Sequence, residues 1–312
     1  ANPPATANGR TTRRSAAAAT TAAPAAASGG PSGGASSSAC DGEAEYLRQM
    51  RPLVFEAVES LHGHHYEGKA GKMDALGSRS RRLALEAADM MGGGLPVTMS
   101  STVWCRVHES QMHLWRAMIS GPEGTPYEGG LFIFDILCPN DYPNTAPKVN
   151  LRTTGAGSVR FNPNLYNCGK VCLSLLGTWQ GDAGESWHAK TSTLLQVLMS
   201  VQALILVPDP FFNEPGYERI RGTPQGDSQS RGYNEPLREA TVRYAMIEQL
   251  RSPVPELRDA IFAHFRLRRA AILANVRRMA SDPKNSKAHA SNMAALVRQL
   301  EEALNANLPA EA

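Results

Sequence analysis

Two side chains in the stretch 161–176, FNPNLYNCGKVCLSLL, have the types and spacing for covalent chemistry. Cys172 follows the turn residues Asn167-Cys168-Gly169-Lys170 and precedes an apolar run, Leu173 to Leu176, broken only by Ser174. That order puts a thiol at the edge of a packed segment instead of deep inside one. Asn164 comes eight residues earlier, directly after Pro163, on a rigid turn that can aim a side-chain amide. A thiol nucleophile beside a fixed amide donor is the minimum for acyl transfer through a thioester. Nothing in the stretch completes a protease-like triad. Other readings stand beside this one: Cys172 as an inert packed thiol, or Asn164 as a plain turn cap. Cys168 and Cys172 could also be half of a zinc site, although no second pair follows.

The chain that must position these residues has 312 of them, enough for one or two domains with a sizeable core. Its 32 Lys+Arg against 29 Asp+Glu leave a formal charge of +3, too mild to argue for a nucleic-acid partner. Five scattered cysteines, an odd number in a chain too long to need staples, predict a reduced, intracellular protein in the cytoplasm or nucleus. No apolar run approaches the roughly 18 residues of a membrane span, so no membrane partner is expected.

Composition and periodicity divide the chain. Residues 1–42 are rich in Ala, Ser, Thr, Gly and Pro and have no acid before Asp41, which predicts a disordered linker inside a longer protein. Residues 43–77 form an N-terminal extension: a short helix over Glu43–Glu59 interrupted by Pro52, then a solvated loop with His62, His64 and His65. A helix over Arg79–Met91 is stopped by Gly92-Gly93-Gly94. Short apolar runs at 103–107, 114–119, 131–137 and 148–151 are separated by turn signals such as Gly121-Pro122-Glu123-Gly124. Spaced this closely, they favour an antiparallel meander over βαβ units. Cys105 and Cys138 read there as small core residues.

Beyond Cys172, a loop over 177–190 leads to an apolar helix capped by Thr191 or Ser192, with Leu194, Leu198, Val201 and Ile205 on one face. A long loop is expected over Pro208–Asn234, then helices over Glu235–Leu250 and Pro255–Met279 and a last amphipathic helix around Met293–Leu304. The segment 251–279 carries seven Arg against two acids, Glu256 and Asp259, a solvated face or a docking surface for an acidic partner.

This order of elements, with its motifs, resembles the ubiquitin-conjugating enzymes. The residues that carry the resemblance are Gly121-Pro122, Thr125-Pro126-Tyr127-Glu128-Gly129-Gly130, Pro139, Asp141-Tyr142-Pro143 and Pro147-Lys148-Val149. Asn162-Pro163-Asn164 stands where the family has His-Pro-Asn, and Cys172 falls at the family's spacing behind it; Trp187 and the helix that follows it also correspond. The match covers about residues 78–250, the expected core, and leaves 251–312 as a helical C-terminal extension. Finer details resemble the very large conjugating enzymes that act as their own ligases, including the giant inhibitor-of-apoptosis type. These are Met50-Arg51-Pro52-Leu53, His64-His65-Tyr66, the insertion between Leu176 and Trp187, and Phe212-Asn213-Glu214-Pro215-Gly216-Tyr217-Glu218.

The resemblance implies an α+β fold: an N-terminal helix, a four-stranded antiparallel meander and C-terminal helices with a helical extension. It implies a transferase that takes ubiquitin from an activating enzyme as a glycyl thioester on Cys172 and passes it to a substrate lysine. Asn164 would serve the oxyanion or its loop, and Glu214 would orient or deprotonate the lysine. The partners are then ubiquitin, its activating enzyme and protein substrates. No cofactor or metal is expected, because ATP is used by the activating enzyme. Two departures bear on this: Asn162 replaces the family's His, and Asn144 with His188-Ala189-Lys190 replaces the apolar contacts a ring-type ligase uses. The competing function is a catalytically inactive ubiquitin-binding variant that acts as an interaction module.

Overall fold

The four apolar runs form the middle and one edge of a five-stranded sheet in a computed structural model that describes residues 36–69, 77–181 and 184–308. The strands follow sequence order: β1 (Phe55–Val58), β2 (Val103–His108), β3 (Leu114–Ser120), β4 (Leu131–Leu137) and β5 (Lys148–Leu151). β2 to β5 are the expected antiparallel meander, joined through residues 109–113, 121–130 and 138–147. β1 is a correction to the four-stranded expectation. It lies in the extension read as helix and pairs parallel to β2, with Phe55 opposite Cys105. The helix α1 (Ser36–Met50) stops before Pro52, which has no N–H to continue it, and the four residues after the proline turn are free to pair. Parallel pairing needs a long crossover, and residues 59–102, which carry α2 (Ser78–Asp89), supply it. The expected linker lies outside the described residues up to residue 35; α1 begins at Ser36.

Both faces of the sheet are covered, so β3 and β4 are buried along their whole length. One apolar cluster runs from Tyr46 through the strands to Leu308 and takes in residues of every long helix. α3 (Leu194–Ser200) is capped by Thr193, not by Thr191 or Ser192. The Thr193 hydroxyl accepts from the Gln196 amide N–H and the Gln196 side chain accepts in return, a reciprocal capping box. A π turn (Val201–Ile205) continues α3, and Leu194, Leu198, Val201 and Ile205 are buried as the spacing predicts.

The loop expected over Pro208–Asn234 is another correction. Two short 3-10 turns (Pro210–Asn213 and Tyr217–Ile220) are followed by α4 (Pro224–Ala240), which begins about three turns before the helix expected from Glu235. Thr223 caps it and Pro224 occupies its first turn, where a missing N–H costs nothing. The helical path continues through a π segment (Thr241–Ile247) into α5 (Glu248–Arg251). α6 (Arg258–Ala280) and α7 (Lys287–Asn307) then pack on each other, α6 also on α1 and α7 also on α4 and α5.

The charged groups of the extensions are also spent inside the fold. In cross-strand register, Arg106, Arg116 and Asp135 form a ladder over β2, β3 and β4, each of them at most 1 % exposed. Arg116 Nε donates to Asp135 Oδ1 at 2.6 Å, and its Nη1 bonds the Glu256 carboxylate at the start of the C-terminal extension. His64, expected in a solvated loop, is buried beside the same aspartate and donates its Nε2–H to the Trp115 carbonyl oxygen at 2.9 Å. The Arg-rich segment is largely self-satisfied. Arg266 reaches Gln49, Arg269 the Leu308 carbonyl, Arg277 the Glu301 carboxylate and Arg278 Asn275, while Arg268 is buried.

Candidate active site

The site is a folded-back loop on the β5 edge. Leu151 N donates to Gly169 O at 2.8 Å, which docks the turn Tyr166–Gly169 against the sheet. Gly169 is required there on two counts. Its φ is +87°, and a Cβ would stand 2.5 Å from Asn150 Nδ2 and 2.6 Å from Leu151 O. The chain then returns antiparallel on itself, with Leu165 bridged to Val171. That return brings the two predicted residues together. Cys172 N donates to Asn164 O at 2.9 Å, and Asn164 Nδ2 donates to Cys172 O at the same distance.

Both residues sit at the margin of the core, as their spacing predicts. Cys172 is 2 % exposed and Asn164 9 %, between exposed Cys168 and Lys170 on one side and buried Leu173 on the other. Burial pushes the thiol up from its ordinary range, with Lys170 and Arg160 pulling the other way and Cys168 adding to the rise. Of the four described cysteines, all free, Cys105 and Cys138 are core residues as expected; burial raises Cys105 to about 12 and Cys138 far above its usual range.

Asn162 carries the structural bonds that its replacement of His put in question. It is wholly buried, its Nδ2 donates to Ile205 O at 2.8 Å, and its Oδ1 accepts from Asn164 N at 2.8 Å. The Asn164 turn is therefore tied to the end of the α3 path. Tyr127, from the Thr125–Gly130 motif, anchors the same turn by donating its hydroxyl proton to Phe161 O at 2.6 Å. Trp187 donates Nε1–H to Pro143 O at 2.6 Å, joining the proline-rich loop to the insertion.

Glu214 enters from the first 3-10 turn after α3. Its neighbour Asn213 donates to Asn162 Oδ1 at 3.3 Å, and its own carboxylate lies 3.5 Å from Arg160 Nη2, both side chains being over two-fifths exposed. Arg160 joins the Asn164 turn to Glu214 and Asn213 joins Asn162 to the Glu214 turn; neither was a candidate site residue in the sequence, although Asn213 lies within the Phe212–Glu218 stretch. A cation two residues before the Asn-Pro-Asn triplet was the available signal for Arg160. Among the described residues, no group of three or more His, Cys, Asp or Glu is placed to hold a metal.

The ubiquitin-conjugating enzyme family profile matches residues 95–223, which hold β2 to β5, the loop and α3. The human dual E2 ubiquitin-conjugating enzyme/E3 ubiquitin-protein ligase BIRC6 is 44% identical over 276 residues, which are 82% of this chain and 6% of that protein. A probable ubiquitin-conjugating enzyme protein 17 of Caenorhabditis elegans is 48% identical over 198 residues, 64% of this chain and 27% of that protein. In Arabidopsis thaliana, putative ubiquitin-conjugating enzyme E2 38 is 43% identical over 229 residues, 72% of this chain and 66% of that one. The chain thus spans 6% of the length of the first of these relatives and well under a third of the second. With its strand order, its looped-back cysteine and these matches, the chain belongs to the ubiquitin-conjugating enzyme family.

Proposed function

We propose that this chain accepts ubiquitin as a thioester on Cys172 and transfers it to a lysine of a protein substrate. The observation that carries the reading is the reciprocal pair of bonds between Asn164 and Cys172, which holds an amide donor against the backbone of the one cysteine placed at the margin of the core. In the transfer step the lysine nitrogen bonds to the carbonyl carbon, the carbon–sulfur bond breaks, and the electron pair leaves on Cys172 Sγ. Asn164 stabilises the oxyanion that forms on the way, a role typically worth about 10²- to 10³-fold in rate. Glu214 orients the lysine and takes its proton. Burial raises the Cys172 thiol, and Lys170 and Arg160 act against that rise, favouring the thiolate that attacks during loading and departs on transfer.

Ubiquitin, its activating enzyme and protein substrates are the partners in this reading. ATP is spent by the activating enzyme, no resident cofactor is needed, and the cytoplasm and nucleus are the expected sites of action. Transfer proceeds without a separate ring-type ligase: Asn144 and His188, on the surface such a ligase would use, are exposed and polar. The test is one gel with activating enzyme, ubiquitin, ATP and this chain, run with and without reductant. Wild type and Cys168→Ser should give a reductant-sensitive adduct, and Cys172→Ser a resistant one or none. A reductant-sensitive adduct that survives Cys172→Ser overturns the assignment. A loaded thioester inert to protein lysines until a ring-type ligase is added overturns the ligase-free part.

A further inference from the structure

Arg160 touches the Asn164 turn, Glu214 and the loop that leads to Cys172. Its Nη2 donates to Pro163 O at 2.6 Å, inside the turn that carries Asn164. The same nitrogen stands 3.5 Å from Glu214 Oε2, and the guanidinium carbon lies 4.4 Å over the Tyr166 ring, in the loop that leads to Cys172. Lys170 approaches the Tyr166 ring as well, at 5.7 Å. An ion pair this exposed is worth little by itself. A planar fork that meets a carbonyl, a carboxylate and an aromatic face at once constrains geometry in a way that a flexible ammonium cannot.

We propose that Arg160 is a positioning residue for the transfer step, holding Glu214 and the Asn164 turn in one frame beside Cys172. This rests on the reading above, in which Asn164 and Glu214 serve the transfer. It gives the guanidinium two separable effects. Its geometry aligns the amide donor with the acid that meets the lysine, which is a proximity effect. Its charge, with that of Lys170, favours the sulfur anion that departs, while burial and Cys168 oppose it. Removing Arg160 therefore acts on the rate of transfer and on the thiol itself, whereas a merely structural surface arginine would touch neither.

The experiment uses Arg160→Met, Arg160→Lys, Glu214→Gln and the double variant Arg160→Met/Glu214→Gln. Each is loaded with ubiquitin and discharged to free lysine in single turnover. Arg160→Met should load to completion, more slowly because its thiol is raised, and once loaded should discharge about tenfold more slowly at saturating lysine. Adding Glu214→Gln to it should cost less than about twofold more, because the two side chains act as one unit. Arg160→Lys keeps the charge without the fork and should recover less than half of the loss. In parallel, iodoacetamide alkylation of Cys172 is followed against pH by mass spectrometry on the unloaded proteins. Its midpoint should rise in Arg160→Met and stay in place in Arg160→Lys. Wild-type discharge by Arg160→Met, fully independent effects of the two substitutions, or an unmoved alkylation midpoint would each overturn the proposal. If the wild-type chain never loads at Cys172, the transfer reading fails on its own, and the alkylation midpoint still decides whether Arg160 acts on the thiol.

Discussion

The Asn164 amide has two N–H bonds to give, and the resting fold engages one of them, on the Cys172 carbonyl. The second N–H leaves room for an oxyanion without undoing the loop, so turn cap and oxyanion donor are compatible roles for one side chain. Asn164→Ala removes both at once. Discharge to lysine should slow by about 10²- to 10³-fold. The buried carbonyl left without its donor should also cost about 1–3 kcal/mol of folding stability. Single-turnover discharge and a urea titration on the same sample separate the two losses. Unchanged discharge with lowered stability would leave only the cap. Cys172 and Asn164 were legible in the sequence because turn residues and an apolar run bracket the one and a proline precedes the other. Arg160 was not, because its partners Pro163, Tyr166 and Glu214 are assembled only when the loop folds back.

Elements are held by local rules that a sequence states with uneven clarity. The strands β2 to β5 match their predicted runs to within a residue, since alternating apolar runs between turn signals admit few other readings. β1 escaped notice because four residues with two of them exposed show no periodicity, and only the neighbouring strand decides their state. α4 was missed for a related reason. Gly226, Gly232 and Pro236 are poor helix formers, and its first half buries only Gly226 and Ser230, so tertiary contact and the Thr223 cap override propensity. The α3 cap is the clearest single case for experiment. Thr193 satisfies the free Gln196 N–H in the first turn of the helix whose path ends at the Asn162 bond. Thr193→Ala should lower the unfolding free energy by about 1 kcal/mol, read as a shift of the urea midpoint with the slope unchanged.

At the scale of the molecule, a buried charge network ties both extensions to the sheet. Glu256, 3 % exposed at its side chain, pairs with a fully buried Arg116, and its carbonyl accepts from Arg106 at 2.8 Å. Glu256→Ala should cost about 3–5 kcal/mol, because the arginine it leaves behind cannot reach water. Equilibrium urea unfolding measures this, and a loss below about 1 kcal/mol would show that the network is replaceable. Acid should destabilise the fold through its interior histidines. Burial, then Arg268, lowers His264 to about 3, and burial, then Arg79, lowers His113 to about 4. Each is neutral in the folded state and titrates near 6.5 when unfolded, so the stability held by neutrality is complete above about pH 6.5. It falls as the pH drops from there toward the folded values, by about 1.4 kcal/mol per pH unit for each histidine. A urea midpoint that stays level from pH 7 to pH 5 would contradict this. The large apolar cluster from Tyr46 to Leu308 has a further consequence for how sequence changes are inherited and noticed. The family match ends at residue 223, yet the same buried core extends to the last described helix. A defect at Leu300 or Phe265, remote from the thiol, would act by thinning the population of intact molecules while each survivor works at full speed. In a cell, such an allele would look like a dosage effect rather than a broken enzyme.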